Sequence, residues 1–306
     1  FIDTENIKNI IYIENQKDTS YIIKGLSLNA NPLITNLLES DDKNKSNIFE
    51  NDFNLEINID KVHFDKIHYV KKLNGKLKIK NNNVVDANIL AFYNDAKNIS
   101  FTIRTTDQGN KITTINSSLA KPLVSRYKFI KGFKDDKEGL LDFYSSKKNG
   151  VSKSKLIIDN FKVKEIPVLA KLLALASLQG IADLLTGEGI RFTDLEMNFT
   201  NENKVMKIEE FYVIGPAISI LLEGYIEDDK LISLRGTLVP ATTINRSIAS
   251  IPLLGDLLIG KKAGEGIFGI SFKIKGPPKN LETTVNPIKT LTPRFITRTL
   301  EKIKKN

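Results

Sequence analysis

The 306-residue chain contains no cysteine, no tryptophan, only two histidines and only two methionines. Without cysteine there are no disulfides, no thiolate metal sites and no cysteine nucleophile. This is compatible with the cytosol and equally with a bacterial periplasm. The histidines, His63 and His68, stand five positions apart. A metal-binding pair would be spaced by two on a strand or by four on a helix. They therefore read as surface residues, and no metal is expected.

Catalytic patterns are missing too. No Ser-His-Asp order, nucleophile elbow or acidic cluster is present. Gly264-Glu265-Gly266 lacks the Gly-Lys-Ser/Thr ending of a phosphate loop, and Lys261-Lys262 precede the glycines. It reads as a tight turn. Glu223 and Glu265 have no partner in the sequence. The expectation is a non-enzyme with no cofactor. The most apolar segment, Pro167–Leu185, is near the ~20 residues needed to span a bilayer. Lys171, Gln179 and Asp183 interrupt it on one stripe, and charge at mid-span is costly. It reads as one buried helix ended by Gly187.

What the chain does have is period-two alternation. Leu55, Ile57 and Ile59 alternate with Glu56, Asn58 and Asp60. The same pattern runs through Leu77–Ile79, Ile99–Ile103, Leu195–Phe199, Ile232–Leu238 and Phe268–Ile274. One apolar and one polar face per strand is the signature of antiparallel sheet with a wet side. Asn81-Asn82-Asn83, Asp107–Asn110, Asn201-Glu202-Asn203 and Asp228-Asp229 are the intervening turns. A strand that runs into a proline and then a short helix recurs at Pro32, Pro122, Pro167, Pro240 and the C-terminal end. The spacing is irregular, which excludes a fixed-period solenoid.

The fold expected is mainly β (α+β): a curled antiparallel sheet forming an open groove, with several short amphipathic helices. The segments expected are a strand-Pro-helix unit over 1–40, a polar loop over 41–52, antiparallel sheet over 53–133, and a last segment over 134–306 with helices near 167–185, 244–259 and 293–305.

The chain carries 45 basic and 36 acidic residues, a net charge of +9. The stretch 287–306 holds six basic residues against Glu301 alone. Its apolar stripe includes Phe295, Ile296, Leu300 and Ile303, while Arg294, Arg298, Lys302 and Lys305 take other faces. A helix lying on an anionic membrane surface has this layout, and Phe295 with those four cations forms the expected membrane site. Nucleic acid is not expected. The remaining lysines alternate along strand faces, and no aromatic-basic RNA motif is present.

Four stretches resemble one family. They are Leu156–Leu185 (LIIDNFKVKEIPVLAKLLALASLQGIADLL), Gly187–Phe192 (GEGIRF), Leu234–Gly260 (LRGTLVPATTINRSIASIPLLGDLLIG) continuing through Gly264–Phe272 (GEGIFGISF), and Asn286–Phe295 (NPIKTLTPRF). These resemble the C-terminal region of large AsmA-like bacterial envelope proteins of the YhdP type. Lys24–Leu38 is similar to that family's strand-Pro-helix unit, and Thr292-Pro293-Arg294 departs from it where a glycine often follows the proline. The resemblance implies a β-groove that carries phospholipid through the periplasm to the outer membrane, with an inner-membrane anchor upstream of Phe1, and no catalytic residues. It also favours a groove over a closed core, between which alternation alone does not decide. The expected partners are phospholipid acyl chains, a membrane surface and an envelope partner protein. The expected lining is Leu195, Met197, Phe199, Ile218, Ile220, Leu222, Ile232, Leu234, Phe268, Ile270 and Phe272, with Asn198 and Ser219 pointing outward. The alternative is a structural or adaptor domain that modulates outer-membrane assembly or docks a partner protein.

Overall fold

A computed structural model describes residues 2–4, 7–17, 19–34, 51–125, 132–133, 139–228, 230–240 and 269–288. The helices expected near 244–259 and 293–305 lie outside these residues. Of the described residues 68% are in strands and 11% in helices, so the chain is mainly β. Contacts divide it into two compact units, 1–128 with 136–154, and 129–135 with 155–306.

The first unit holds β1 (Ile2–Thr4), β2 (Ile7–Lys17), β3 (Ser20–Asn29), α1 (Asn31–Ile34), β4 (Phe53–His63), β5 (Tyr69–Lys80), β6 (Asn83–Asn94), β7 (Lys97–Thr105), β8 (Lys111–Ser117), α2 (Lys121–Val124) and β9 (Leu140–Lys148). The strand β10 (Val151–Val163) begins there and continues in the second unit. The second unit adds α3 (Pro167–Leu175), α4 (Gln179–Thr186), β11 (Ile190–Glu202), β12 (Val205–Ile214), β13 (Ile218–Glu227), β14 (Leu231–Pro240), β15 (Gly269–Gly276) and β16 (Glu282–Ile288). Among the described residues hydrogen-bonded neighbours follow chain order from β1 to β16, and the order does not return on itself.

Local chemistry explains the meander. Asn81 and Asn82 both take positive φ, 47° and 58°, between β5 and β6. Asn203 and Lys204 do the same, at 47° and 66°, between β11 and β12. Two-residue turns of this type match the right-handed twist of the strands they join, and asparagine tolerates them well. One pairing breaks the antiparallel rule: β3 and β4 run parallel, with Ile23 opposite Ile57 and Asn29 opposite His63. A parallel pair cannot be joined by a two-residue turn, and residues 30–52 separate β3 from β4 in the sequence.

The expected single helix over Pro167–Leu185 is two helices. Ser177 takes φ 57°; its amide donates to the Ala174 carbonyl at 3.0 Å and the Leu178 amide to the Leu173 carbonyl at 2.9 Å. This bond pair ends a helix with a left-handed residue just past its cap. Glycine is the usual occupant; serine here hides the break from a reading of the sequence. Leu169, Leu172 and Leu173 of α3 and Ala182 and Leu185 of α4 are buried. The pair reaches across the unit: α3 touches β16, α4 touches β11, and Lys171 Nζ donates to the Leu281 carbonyl at 3.4 Å. Among the described residues no helix is long and apolar enough to cross a membrane.

In the first unit Tyr93 and Ser117 share a hydroxyl hydrogen bond of 2.9 Å, and Ser117 donates on to the Leu119 carbonyl at 2.7 Å. Burial pushes the Tyr93 phenol up to about 12, against a small downward pull from Ser117. The folded value lies above the unfolded one, so this contribution is complete below about pH 10 and is lost between about pH 10 and 12. Tyr93→Phe is expected to flatten that part of a stability–pH curve. It should cost only about 1 kcal/mol at neutral pH, the net value of one hydrogen bond. Chemical denaturation at pH 7, 10 and 11.5, each value chosen to bracket that window, measures both; a parallel fall in wild type and variant would be the contrary result.

Candidate functional site

The register of the second unit sorts its side chains into two faces. Leu195 lies opposite Val213, Met197 opposite Phe211 and Phe199 opposite Ile208. Val213 meets Ile220 and Phe211 meets Leu222. Ile218, Ile220, Leu222 and Gly224 meet Pro240, Leu238, Gly236 and Leu234, and Ile226 meets Ile232. Leu238, Gly236 and Leu234 in turn meet Ile270, Phe272 and Ile274. Paired residues on neighbouring strands point to the same side. The ten described residues of the expected lining, Leu195, Met197, Phe199, Ile218, Ile220, Leu222, Ile232, Leu234, Ile270 and Phe272, thus share one face. Phe268 lies outside the described residues, as do Arg294, Phe295, Arg298, Lys302 and Lys305.

Burial along that face is graded. Toward the Ile218–Pro240 end, Ile218 is 0% exposed and Leu238 1%. Toward the other end, Met206, Ile226, Ile232 and Leu234 are only half-buried, although Ile274 and Ile208 beside them are buried. One end is filled by its own side chains and the other is partly open. The opposite face is not uniformly wet. Ser219, expected to point outward, is on it but fully buried, with its hydroxyl unpartnered. Tyr212 and Val239 are buried on the same face, so alternation located Ser219 without predicting its cover.

Further along that second face runs a polar row. Glu223, Arg235, Lys273 and Thr284 stand opposite one another in succession. The Arg235 guanidinium donates to Glu223 Oε1 through Nε at 2.8 Å and Nη2 at 2.7 Å, which supplies the partner missing from the sequence. With Glu209, Glu210, Thr237 and Ser271 these residues border a cavity of about 390 Å³. Thr200 donates to Glu209 at 3.0 Å. Arg235 and Lys273 stand side by side in this row, Glu223 pairs with Arg235, and Glu210 Oε1 is buried without a hydrogen-bond partner.

The first unit carries an apolar row that the list of expected lining residues did not include. Ile13 is opposite Ile23, and Ile23 opposite Ile57. The row continues through Gly75, Ile89, Phe101, Ile115 and Phe143. It crosses eight strands, β2 to β9, at about 4.8 Å per strand. Ile13 is 64% exposed; Ile23, Ile57, Ile89, Phe101, Ile115 and Phe143 are half-buried. The glycine in the row gives way to its neighbour, since a Cβ on Gly75 would stand 2.9 Å from Ile89 Cγ1. The alternation was visible in the sequence, but the alignment of these residues into one row depends on pairing.

At one end of this unit the turn between β4 and β5 projects Ile67, 78% exposed. Asp65 holds the turn. Its Oδ1 accepts from the amides of Ile67 at 2.7 Å and His68 at 2.6 Å, and its Oδ2 is 2.7 Å from His68 Nδ1. Partial burial works to raise the Asp65 carboxyl, but the His68 ring and the His68 and Ile67 amides outweigh it, so the carboxyl sits below its usual range. His63 is lowered by burial and by Lys61 nearby; its Nδ1 has no hydrogen-bond partner.

No family model, curated protein or solved structure matches this chain. The functional reading therefore rests on the residues and on the resemblance described above. Among the described residues no three His, Asp or Glu side chains converge where a metal ion could sit.

Proposed function

We propose that the chain is a non-enzymatic lipid-handling part of an AsmA-like bacterial envelope protein. It shelters phospholipid acyl chains against the apolar side of its sheet as they pass through the periplasm between inner and outer membrane. The observation that carries this reading is the half-buried row from Ile13 to Phe143, one apolar residue or glycine per strand across eight successive strands. Ile23, Ile57 and Ile115 pack against the buried cluster of Ile59, Val62, Val70, Ala91 and Ile99, yet the side chains of the row keep part of their surface accessible. Each methylene removed from water gains roughly 0.8 kcal/mol. Six methylenes laid on the row and half-shielded by it would gain about 2 kcal/mol without one polar contact. A surface of this kind needs no sharp motif, which is consistent with the absence of catalytic patterns. The sequence resemblance supplies the envelope setting and the phospholipid.

One observation favours the adaptor reading for part of the chain. The Ile218–Pro240 end of the second unit is packed with its own side chains and leaves no room for a chain there. The lipid surface is accordingly assigned to the row of the first unit and to the half-buried end around Ile226, Ile232 and Leu234.

Photo-crosslinking side chains test the assignment. Ile89 pairs with Phe101, and Asn88 with Thr102, on opposite faces of the same strands. Crosslinkers at Ile89 and Phe101 are expected to capture co-purifying phospholipid, identified by native mass spectrometry, and those at Asn88 and Thr102 are not. Equal capture from both faces, or no lipid at all, would overturn the proposal.

A further inference from the structure

We propose that the turn between β4 and β5 is a docking point for an anionic lipid surface, with Ile67 as the inserting side chain. Ile67 is the most exposed large apolar residue among those described, at 78%. It sits at the apex of a turn and not on a flat face, so it can enter an interface without bringing buried backbone with it. Two amides of the turn are already bonded to Asp65, at 2.7 and 2.6 Å. The apex is thereby pre-formed and exposes fewer unpaired donors to an apolar phase. Tyr69, 37% exposed, follows it on β5. Leu33, 42% exposed, lies at the same end of the sheet, because α1 begins just past the Asn29–His63 pair.

The charge around the apex selects an anionic partner. Lys66 adjoins Ile67, and Lys61 and Lys71 stand directly opposite each other on β4 and β5. Like charges facing across strands cost stability. Lys61 lies over the Tyr69 ring, 4.1 Å from its centroid. Lys66, Lys71 and Lys72 are exposed and make no ion pair among the described residues. The acids of the same stretch are Asp60 and Asp65, and Asp65 is engaged by His68. The Tyr69 ring offsets part of this cost for Lys61, and no acid among the described residues pairs with Lys66, Lys71 or Lys72. Anionic head groups would reward this arrangement, at about 1 kcal/mol per lysine near the surface, while the isoleucine enters the acyl boundary. An acidic protein would answer the lysines but would not require a lone isoleucine at a projecting apex.

The absence of tryptophan makes the test direct, since Ile67→Trp would be the only tryptophan in the full chain. Its emission is expected to shift to the blue with vesicles of phosphatidylcholine containing phosphatidylglycerol, and to be quenched by brominated acyl chains. Phosphatidylcholine alone should leave it unchanged. Adding Lys66→Glu with Lys71→Glu should raise the anionic lipid concentration needed for half the shift at least about tenfold, and high salt should act in the same direction. As a second reading, flotation of Ile67→Ser should fall about tenfold, with thermal stability unchanged. No blue shift, a shift that ignores lipid charge, or one that appears only with an acidic protein would overturn the inference. Phospholipid captured at Ile89 is read separately, so failure here leaves the sheltering surface standing, and the reverse holds too.

Discussion

Leu172→Glu is expected to destabilise the second unit by about 4 kcal/mol or more. Leu172 is 4% exposed on α3, and its neighbours Leu169 and Leu173 are 7% and 0% exposed. A glutamate there must bury its carboxylate without a partner or take up a proton; either route costs free energy. Native proteins are stable by only about 5–15 kcal/mol, so one such change removes a large part of the total. Leu172→Ala separates charge from volume, and should cost about 2–5 kcal/mol through the cavity alone. Urea denaturation of both variants measures the difference. A Leu172→Glu midpoint equal to wild type would mean that α3 does not pack as described.

Gly236→Val should have an effect of similar size for a different reason. Gly236 lies on the apolar face between Leu222 and Phe272. A Cβ there would run into the Leu221 carbonyl oxygen and come within 2.6 Å of the Phe272 ring and 2.8 Å of Leu222 Cβ. The ring could swing away, but the carbonyl belongs to a paired strand and cannot move without breaking the ladder. Overpacking of this kind costs about 1–3 kcal/mol, and more where backbone must shift. Valine adds a branched, rigid side chain to that clash. We therefore expect loss of soluble protein or a melting temperature lower by at least about 10 °C. Retained stability would show that β13 and β14 can separate at this position.

Much of the architecture was legible because it is local. A strand announces itself by alternation, and a two-residue turn by asparagines that accept positive φ. The Pro32, Pro122 and Pro167 helices begin where their prolines suggested. The parallel β3–β4 pair was not legible, because its partners are separated by a long stretch of sequence and carry no local mark of direction. The break at Ser177 was missed for the opposite reason: serine carries a weak mark for a conformation that glycine normally signals. Glu223 looked unpartnered because Arg235 is twelve positions away and reaches it only across a strand pair.

The candidate surfaces divide in the same way. The face of each strand on which Ile89, Phe101, Leu195 or Ile220 falls was decided by the sequence alone, since side chains alternate with period two and a shift of one residue would expose every apolar group. Whether that face is covered was decided only by the tertiary structure. Ile218 and Ile57 both fall on the apolar faces of their strands, yet one is fully buried and the other keeps part of its surface. Burial depends on what lies above a side chain, and that is set by strands and helices distant along the chain.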